Sequence, residues 1–328
     1  MKRKLVLEKK GWFVFNPGIA EEKTFLGLIH PRFNKIHIYY RQCGISNYSS
    51  ICHAVMQNNK VSMYAEPVLE PKTDYEKHGV EDPRITRIGS TYFMLYVGYD
   101  GVTARVMLAT SKDLLKWQRK HMISPNLTYT DAIKLAGSRY YAKRWEKKKH
   151  RRVMFDKDAV LFPKKINGKY AMLHRLDPAI QIIYFDDFSD LKKKSFWREH
   201  IRNIEANTIM KPKFRWEAKK IGAGTILETK KGWLLFYHGV RGKPKKSIYT
   251  AGIALLDLKD PKKVIARYDK ELFKPDYEWE KKGQVNYVVF PTGAVLHRGI
   301  VKLFYGAADA RIGMAEIPLE ELFNKLKV

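Results

Sequence analysis

The stretch ITRIGSTYFMLYVGY (85–99), followed by RVMLAT (105–110), reads as three short strands: an apolar run, a Gly-Ser turn, an aromatic-rich run and a last run ending in small residues. The same order returns four times, at 27–54 (GLIHPRFNKIHIYYR, then SSICHAV), 160–185 (VLFPKKINGKYAMLHR, then IQIIYF), 225–256 (TILETKKGWLLFYHGV, then YTAGIALL) and 288–316 (VVFPTGAVLHRGIVKLFYGAAD, then RIGMAEI). The middle strands centre on Tyr39, Leu95, Met172, Phe236 and Phe304, with spacings of 56, 77, 64 and 68 residues, too long for a short helical solenoid repeat. Repeated antiparallel sheets without long amphipathic helices fit an all-β, five-bladed β-propeller, in which radial repetition leaves only short edges exposed. Two β-sandwich domains with chance similarity between hairpins are the alternative. No Pro/Gly/Ser-rich linker divides the chain, so residues 1–328 read as a single domain. Only LEELFNKLK (319–327) reads clearly as a helix, a short C-terminal one, with positions 319, 322, 323 and 326 on one face.

The chain has 328 residues, 45% of them hydrophobic, which is enough apolar material for a large core. Sixty-two Lys and Arg against 34 Asp and Glu leave a formal charge of +28, so the partners are expected to be anions. Cys43 and Cys52 are the only cysteines, which argues against a zinc site or a disulfide framework and sets a reduced, cytoplasmic location as the expectation. The basic N-terminal segment lacks a signal peptide's apolar stretch, and no run is long enough to span a membrane. The densest charge run, KRWEKKKHRR (143–152), reads first as a solvated loop. For nucleic acid it would offer Trp145 as one stacking group, but no recognition signature accompanies it and no specific nucleic-acid partner is expected.

Arg41, Arg175, His238 and Asp309 end the middle strands of four repeats. If the repeats are blades, these side chains converge on one mouth of the channel; if not, they are wetted rim residues. In GVEDPR (79–84), Pro83 biases Asp82 toward an extended backbone and fixes the turn, which presents its carboxylate rigidly, either as a general acid or as the acceptor of an Asx-type turn. Lys157, Arg175 and Lys220 come from different repeats. Gathered with His238 and Tyr249, they would make a cationic pocket suited to phosphate. Neither GxGxxG nor GxxxxGK[ST] occurs, which disfavours a nucleotide loop.

Together VEDPRIT (80–86), KDAVLFPKKINGKY (157–170) with LHR (173–175), KIGAG (220–224), GWLLFYHGV (232–240), GIALLDLKDP (252–261), VVFPTGA (288–294) and YGAAD (305–309) resemble the family 130 glycoside hydrolases and phosphorylases, five-bladed propeller enzymes acting on β-mannosides. The resemblance covers most of the chain and implies that Asp82 is the catalytic acid, its proton reaching the glycosidic oxygen through a hydroxyl of the mannosyl unit. It implies phosphate contacts from Arg175, Lys220, His238 and Tyr249, joined by Lys157, which stands where several phosphorylases of the family carry Arg. It also implies substrate contacts from Asp309 and Asn47. Arg41 is expected to join them from its strand end. Glu280, in WEKKG (279–283), completes the substrate-side set as the carboxylate that would serve if water were the nucleophile.

Retention of the basic set favours phosphorolysis, since an anionic nucleophile needs positive charge rather than a second carboxylate. The expected reaction converts a β-mannoside and inorganic phosphate into α-mannose 1-phosphate with inversion, without metal or organic cofactor. IQIIYFDDFSDL (180–191) and QVNY (284–287) look more like members acting on β-1,2-linked mannobiose or oligomannosides. The alternatives are an inverting β-mannosidase and a noncatalytic polyanion-binding propeller. A homo-oligomer is an expectation from general frequency alone.

Overall fold

The computed structural model describes residues 1–23, 34–44, 46, 48–150, 153–243 and 246–328. Strand β1 (Lys2–Leu7) leaves at once for the far end of the chain. The first sheet then forms from β2 (Phe13–Glu22), β3 (Lys35–Cys43), β4 (Ser49–Gln57) and β5 (Lys60–Met63), and the second from β6 (Gly79–Ile88), β7 (Thr91–Tyr99), β8 (Ala104–Ser111) and β9 (Gln118–Met122). One parallel pairing, Ser49 with Gly79, links these two into a continuous eight-stranded sheet. The third sheet is β10 (Lys157–Leu161), β11 (Tyr170–Arg175), β12 (Ile180–Phe185) and β13 (Thr208–Met210). The fourth is β14 (Lys220–Thr229), β15 (Gly232–Arg241), β16 (Ile248–Leu256) and β17 (Val264–Arg267). In the last, β18 (Val289–His297), β19 (Ile300–Ala307) and β20 (Arg311–Pro318) are completed by β1, antiparallel to β20. The chain is therefore mostly β. In the first repeat, residues 27–33 lie outside the described residues, and the strand paired with β3 is β2, upstream of the expected start.

The first strand of each sheet lies against that of the next: β2 on β6, β6 on β10, β10 on β14, β14 on β18, and β18 back on β2. Five apolar clusters fill the spaces between consecutive sheets, and one of them, containing Val14, Ile19, Phe304 and Met314, joins the last sheet to the first.

At one level each of the five first strands breaks its register with its neighbour: between Phe15 and Gly18, Glu81 and Arg84, Lys157 and Val160, Ala223 and Thr225, and Pro291 and Gly293. Such bulges bend a strand and re-aim the side chain at the break.

The C-terminal helix is present, at Leu319–Leu326, but it has company among the described residues. Helices α1 (Tyr129–Leu135) and α2 (Arg139–Glu146) connect the second and third sheets, α3 (Lys194–Arg202) connects β12 to β13, and α4 (Glu278–Lys281) precedes β18. Each of α1 to α3 is about two turns long and buries two or three residues, such as Tyr141, Trp145 and Trp197, against the third sheet. Two turns set among lysines carry too little periodicity to be recognised from sequence. The segment 143–152, expected as a solvated loop, therefore begins as α2; its Arg151 and Arg152 lie outside the described residues. Trp145 is fully buried with its indole N–H donated to the Asp177 carbonyl at 3.1 Å, so it offers no stacking face.

Three sheets share a buried carboxylate clasp. Glu76, Glu217 and Glu280 sit in short helical turns, and each accepts the backbone N–H groups three and four residues upstream. Each carboxylate also meets an arginine of its sheet's outermost strand: Arg119, Arg267 and Arg3 respectively. Tyr96 and Tyr305 of the middle strands donate to Glu76 and Glu280 at 2.8 and 2.7 Å, while Tyr237 accepts from Arg267 at 3.1 Å. Each clasp thus ties the turn leading into a sheet to that sheet's middle and outer strands. Glu217→Ala, which strands Arg267 in a buried setting, is expected to lower unfolding free energy by about 3–5 kcal/mol in urea titration. A loss under about 1 kcal/mol would reject the clasp as a structural tie.

Candidate active site

The register breaks bring unlike chemistry to one place. A cavity of about 160 Å³ is lined by Asn16, Asp82, Lys157, Asp158 and Lys220 from first strands, and by Arg41 and Arg175 from middle strands. Tyr249 of β16 and Asp309, in the turn after β19, complete its polar wall, and Val288 and Phe290 its apolar one. Asn16, Asp82 and Asp158 stand at the breaks with φ of 49°, 51° and 57°, so Asp82 is left-handed rather than extended as expected, because the bulge between Glu81 and Arg84 overrides the bias from Pro83. Asn and Asp tolerate this left-handed region better than other side chains with a Cβ, and here it turns each side chain off the alternating pattern of its strand. Asp309 is held likewise at φ 47°.

The charges pair both across and within sheets, and Lys157 and Arg175, expected from different repeats, are register partners in the third sheet. Asp82 accepts a hydrogen bond from Asn16 Nδ2 at 2.8 Å and lies 3.9 Å from the Arg41 guanidinium. Its neighbour Glu81 bridges Arg41 at 2.9 Å and Lys157 at 3.0 Å. Asp158 pairs with Arg175 at 2.6 Å and lies 3.9 Å from Arg84, whose guanidinium also donates to the backbone carbonyls of Asp82 and Gly224. Burial opposes the charge on Lys157, but Glu81 and Asp82 prevail and raise its affinity for the proton.

Two groups are shifted into the neutral range. Burial, followed by repulsion from Arg175, drives Lys220 down to about 7. Burial pushes Asp309 up to about 7, with Asp82 and Glu81 adding to the effect and Arg41 and Lys157 opposing it. Burial, Arg175, Lys220 and Arg84 hold His238 well below its usual range, so its imidazole is neutral. Burial likewise raises the Tyr249 phenol, which keeps its proton and can donate.

Seven of the ten side chains expected from the sequence thus meet at one cavity: Arg41, Asp82, Lys157, Arg175, Lys220, Tyr249 and Asp309. His238 stands behind that wall, fully buried, with Nε2 3.3 Å from Arg175 and its ring on Phe290. It orients the guanidinium rather than lining the cavity. Asn47 lies outside the described residues. The expectation for Glu280 is corrected: it does not line the cavity, and its carboxylate is occupied by Arg3, Tyr305 and two backbone N–H groups. Its recurrence as Glu76 and Glu217 marks it as part of the clasp, a repeat legible as YEK (75–77), WEA (216–218) and WEK (279–281).

Asn16 and Asp158 were missed as site residues. The signal for Asn16 was available, since NPG (16–18) repeats the pattern of DPR (82–84), with a carboxamide in place of the carboxylate. The arrangement can hold a small tetrahedral anion among Lys157, Arg175, Lys220 and Tyr249, with the Asp82 carboxyl facing the same cavity.

The family model described as beta-1,4-mannooligosaccharide phosphorylase matches residues 3–328. The chain belongs to glycoside hydrolase family 130. Within the family it is 36% identical over 323 residues to the beta-1,2-mannobiose phosphorylase of Thermoanaerobacter sp., covering 92% of each chain. It is 35% identical to the 1,2-beta-oligomannan phosphorylase of the same organism, over 78% of this chain and 74% of the relative. Among solved structures, the beta-1,2-mannobiose phosphorylase from Listeria innocua in complex with beta-1,2-mannobiose shares the fold, with a TM-score of 0.71, 21% identity and coverage of 97% of this chain and 94% of that one.

The shifted Lys220 and Asp309 give the family 130 site a testable pH response. Above pH 7 Lys220 loses its charge and Asp309 gains one, and both changes weaken anion binding. Sulfate, whose own charge is constant in this range, is expected to bind about tenfold more weakly at pH 8.5 than at pH 6, the worth of one charged hydrogen bond. Lys220→Arg should leave only the smaller contribution of Asp309, and a flat profile in the native protein would reject the assignment. The readout is calorimetric titration.

Proposed function

We propose that this chain is an inverting β-mannoside phosphorylase that takes β-1,2-linked mannobiose or oligomannosides and inorganic phosphate to α-mannose 1-phosphate and a shortened sugar. The observation carrying this reading is the cavity itself, where Lys157, Arg175 and Lys220 face the Asp82 carboxyl across a space of about 160 Å³. Phosphate held there by Arg175, Lys220 and the Tyr249 hydroxyl attacks the anomeric carbon from the side opposite the leaving oxygen. Asp82, positioned by Asn16, is the source of the proton that reaches that oxygen. Arg41 and Asp309 bind the sugar beside it. Phosphate is already a nucleophile, and holding it close in the right orientation supplies much of the rate.

Hydrolysis by inversion would need a carboxylate base free to activate water. Glu280 is occupied in its clasp, Asp158 is tied to Arg175, and Asp309 holds its proton up to about pH 7. The β-1,2 linkage is preferred because the relative matched over 92% of both chains is named for it. The return of the first strands' contacts to β2 supports a single five-bladed propeller spanning residues 1–328. Inorganic phosphate is the co-substrate, with no metal or organic cofactor in the reaction. A cytoplasmic location and a homo-oligomeric state complete the proposal; no helix among the described residues is long and apolar enough to cross a membrane.

Incubation with β-1,2-mannobiose, with and without phosphate, should yield mannose 1-phosphate only when phosphate is present. Free mannose formed regardless of phosphate would overturn the reading. Asp82→Asn should lower kcat by about 10³-fold or more with little change in thermal stability, consistent with loss of general acid catalysis. Arg175→Ala should raise the KM for phosphate by about 30-fold, as expected for a lost charge-assisted bond, and leave the sugar KM nearly unchanged. A change confined to the sugar KM would contradict the placement of phosphate.

A further inference from the structure

Positive charge continues beyond the cavity. Lys220 also borders a groove of about 830 Å³, lined by Lys143 and Arg144 of α2, by Lys147 and Lys148 just after it, and by Lys219 and Lys220 where β14 begins. Asp177 is the one carboxylate in this lining, and it is already held by Arg175 and Lys148. Among the described residues no carboxylate pairs with Lys143 or Lys147, both of which are exposed. Lys220 lines both the groove and the cavity, so the two are adjoining parts of one cationic surface.

The helix that carries these cations is anchored by its other face. Lys143 of α2 and Lys147 at its C-cap stand four residues apart, where like charges repel. The negative end of the helix dipole offsets part of that repulsion but cannot account for cations contributed by two separate elements. Meanwhile Tyr141 and Trp145 bury the opposite face of α2, and Arg144 bonds to the Lys219 carbonyl, locking the helix to the start of β14. Unpaired cations carried on an anchored helix end beside an anion pocket are an arrangement that a second anion would relieve.

We propose that the groove is a second phosphate subsite, so that the site takes a diphosphate: one phosphate among Arg175, Lys220 and Lys157, the other against Lys143, Lys147 and Lys148. The location of the first phosphate rests on the function proposed above; the second rests on the groove alone. Tyr140 also lines the groove, with the Lys211 ammonium 4.6 Å from its ring centroid, and its ring is the aromatic group nearest to hand for any base attached to the diphosphate.

The test uses inorganic pyrophosphate, free of divalent metal, as an inhibitor of phosphorolysis, with sulfate as the single-anion control. Pyrophosphate is expected to compete with phosphate and to bind at least tenfold more tightly than sulfate. The pair Lys143→Ala and Lys147→Ala should weaken pyrophosphate about tenfold while the sulfate constant moves less than twofold. The pair Lys192→Ala and Lys194→Ala, taken from a basic run elsewhere, should change neither. Pyrophosphate no tighter than sulfate, or equal losses in both double variants, would overturn the subsite.

Direct calorimetry separates this from failure of the phosphorylase reading. Pyrophosphate that binds and depends on Lys143 and Lys147, in a protein that neither binds nor uses orthophosphate, would sustain the groove and reject the reading of the cavity. Adenosine diphosphate distinguishes the sources. Inhibition equal to that by pyrophosphate assigns recognition to the diphosphate alone, and tighter inhibition lost in Tyr140→Ala assigns it to a nucleoside diphosphate.

Discussion

The break in register that each first strand makes at one level is the constraint from which the site follows. In an unbroken strand, side chains alternate between the two faces, and every residue of β6 would point into one intersheet core or the next. One extra residue at Asp82, with a positive φ followed by the fixed φ of Pro83, turns that carboxylate out of the alternation and toward the cavity. Asn16 and Asp158 use the same device, so three sheets deliver a polar side chain to a common point. The sheets must also approach closely at this level. A Cβ on Gly18 would sit 2.8 Å from the Pro83 carbonyl oxygen, and one on Gly224 only 2.3 Å from that of Pro291.

Gathering charges this tightly would be prohibitive without pairing. Glu81 and Asp158 act as internal counterions, one for Arg41 and Lys157, the other chiefly for Arg175. What remains uncompensated is at Lys220, which has burial and Arg175 against it, and its affinity for the proton falls accordingly. An anion beside Lys220 would supply the missing counter-charge, so the site is preorganised for negative charge. The neutral His238 completes this economy by orienting Arg175 without adding a further cation.

The clasps show how the same chemistry serves structure a short distance away. Glu76, Glu217 and Glu280 are as buried as any catalytic carboxylate, yet each is surrounded by donors that leave no lone pair directed at a cavity. From sequence, Glu280 and Asp82 were both candidate site carboxylates. Their difference lies in what faces them, an arginine from the sheet's own outer strand in one case and open space in the other.

The repetition of strand, turn and aromatic strand was legible directly, because hairpins are local and their turn residues are written in order. So were Arg41, Arg175 and Asp309 as polar groups near the ends of middle strands, whereas His238, read as a fourth, lies three residues inside β15 and behind the cavity wall. The motif DPR announced a rigid carboxylate for the same local reason. The helices α1 to α3 were not legible, since two turns among lysines are decided by the tryptophans and tyrosine they bury against a distant sheet. Nor were the roles of Asn16 and Asp158, the removal of Glu280 from the site, or the sharing of Lys220 by the cavity and the basic groove. Each depends on which strands lie side by side and on how burial and neighbouring charge redistribute protons. The sequence by itself determined the repeated unit and the chemical types available; only the tertiary structure decided which of those groups face one another, because charge pairing and desolvation act across space rather than along the chain.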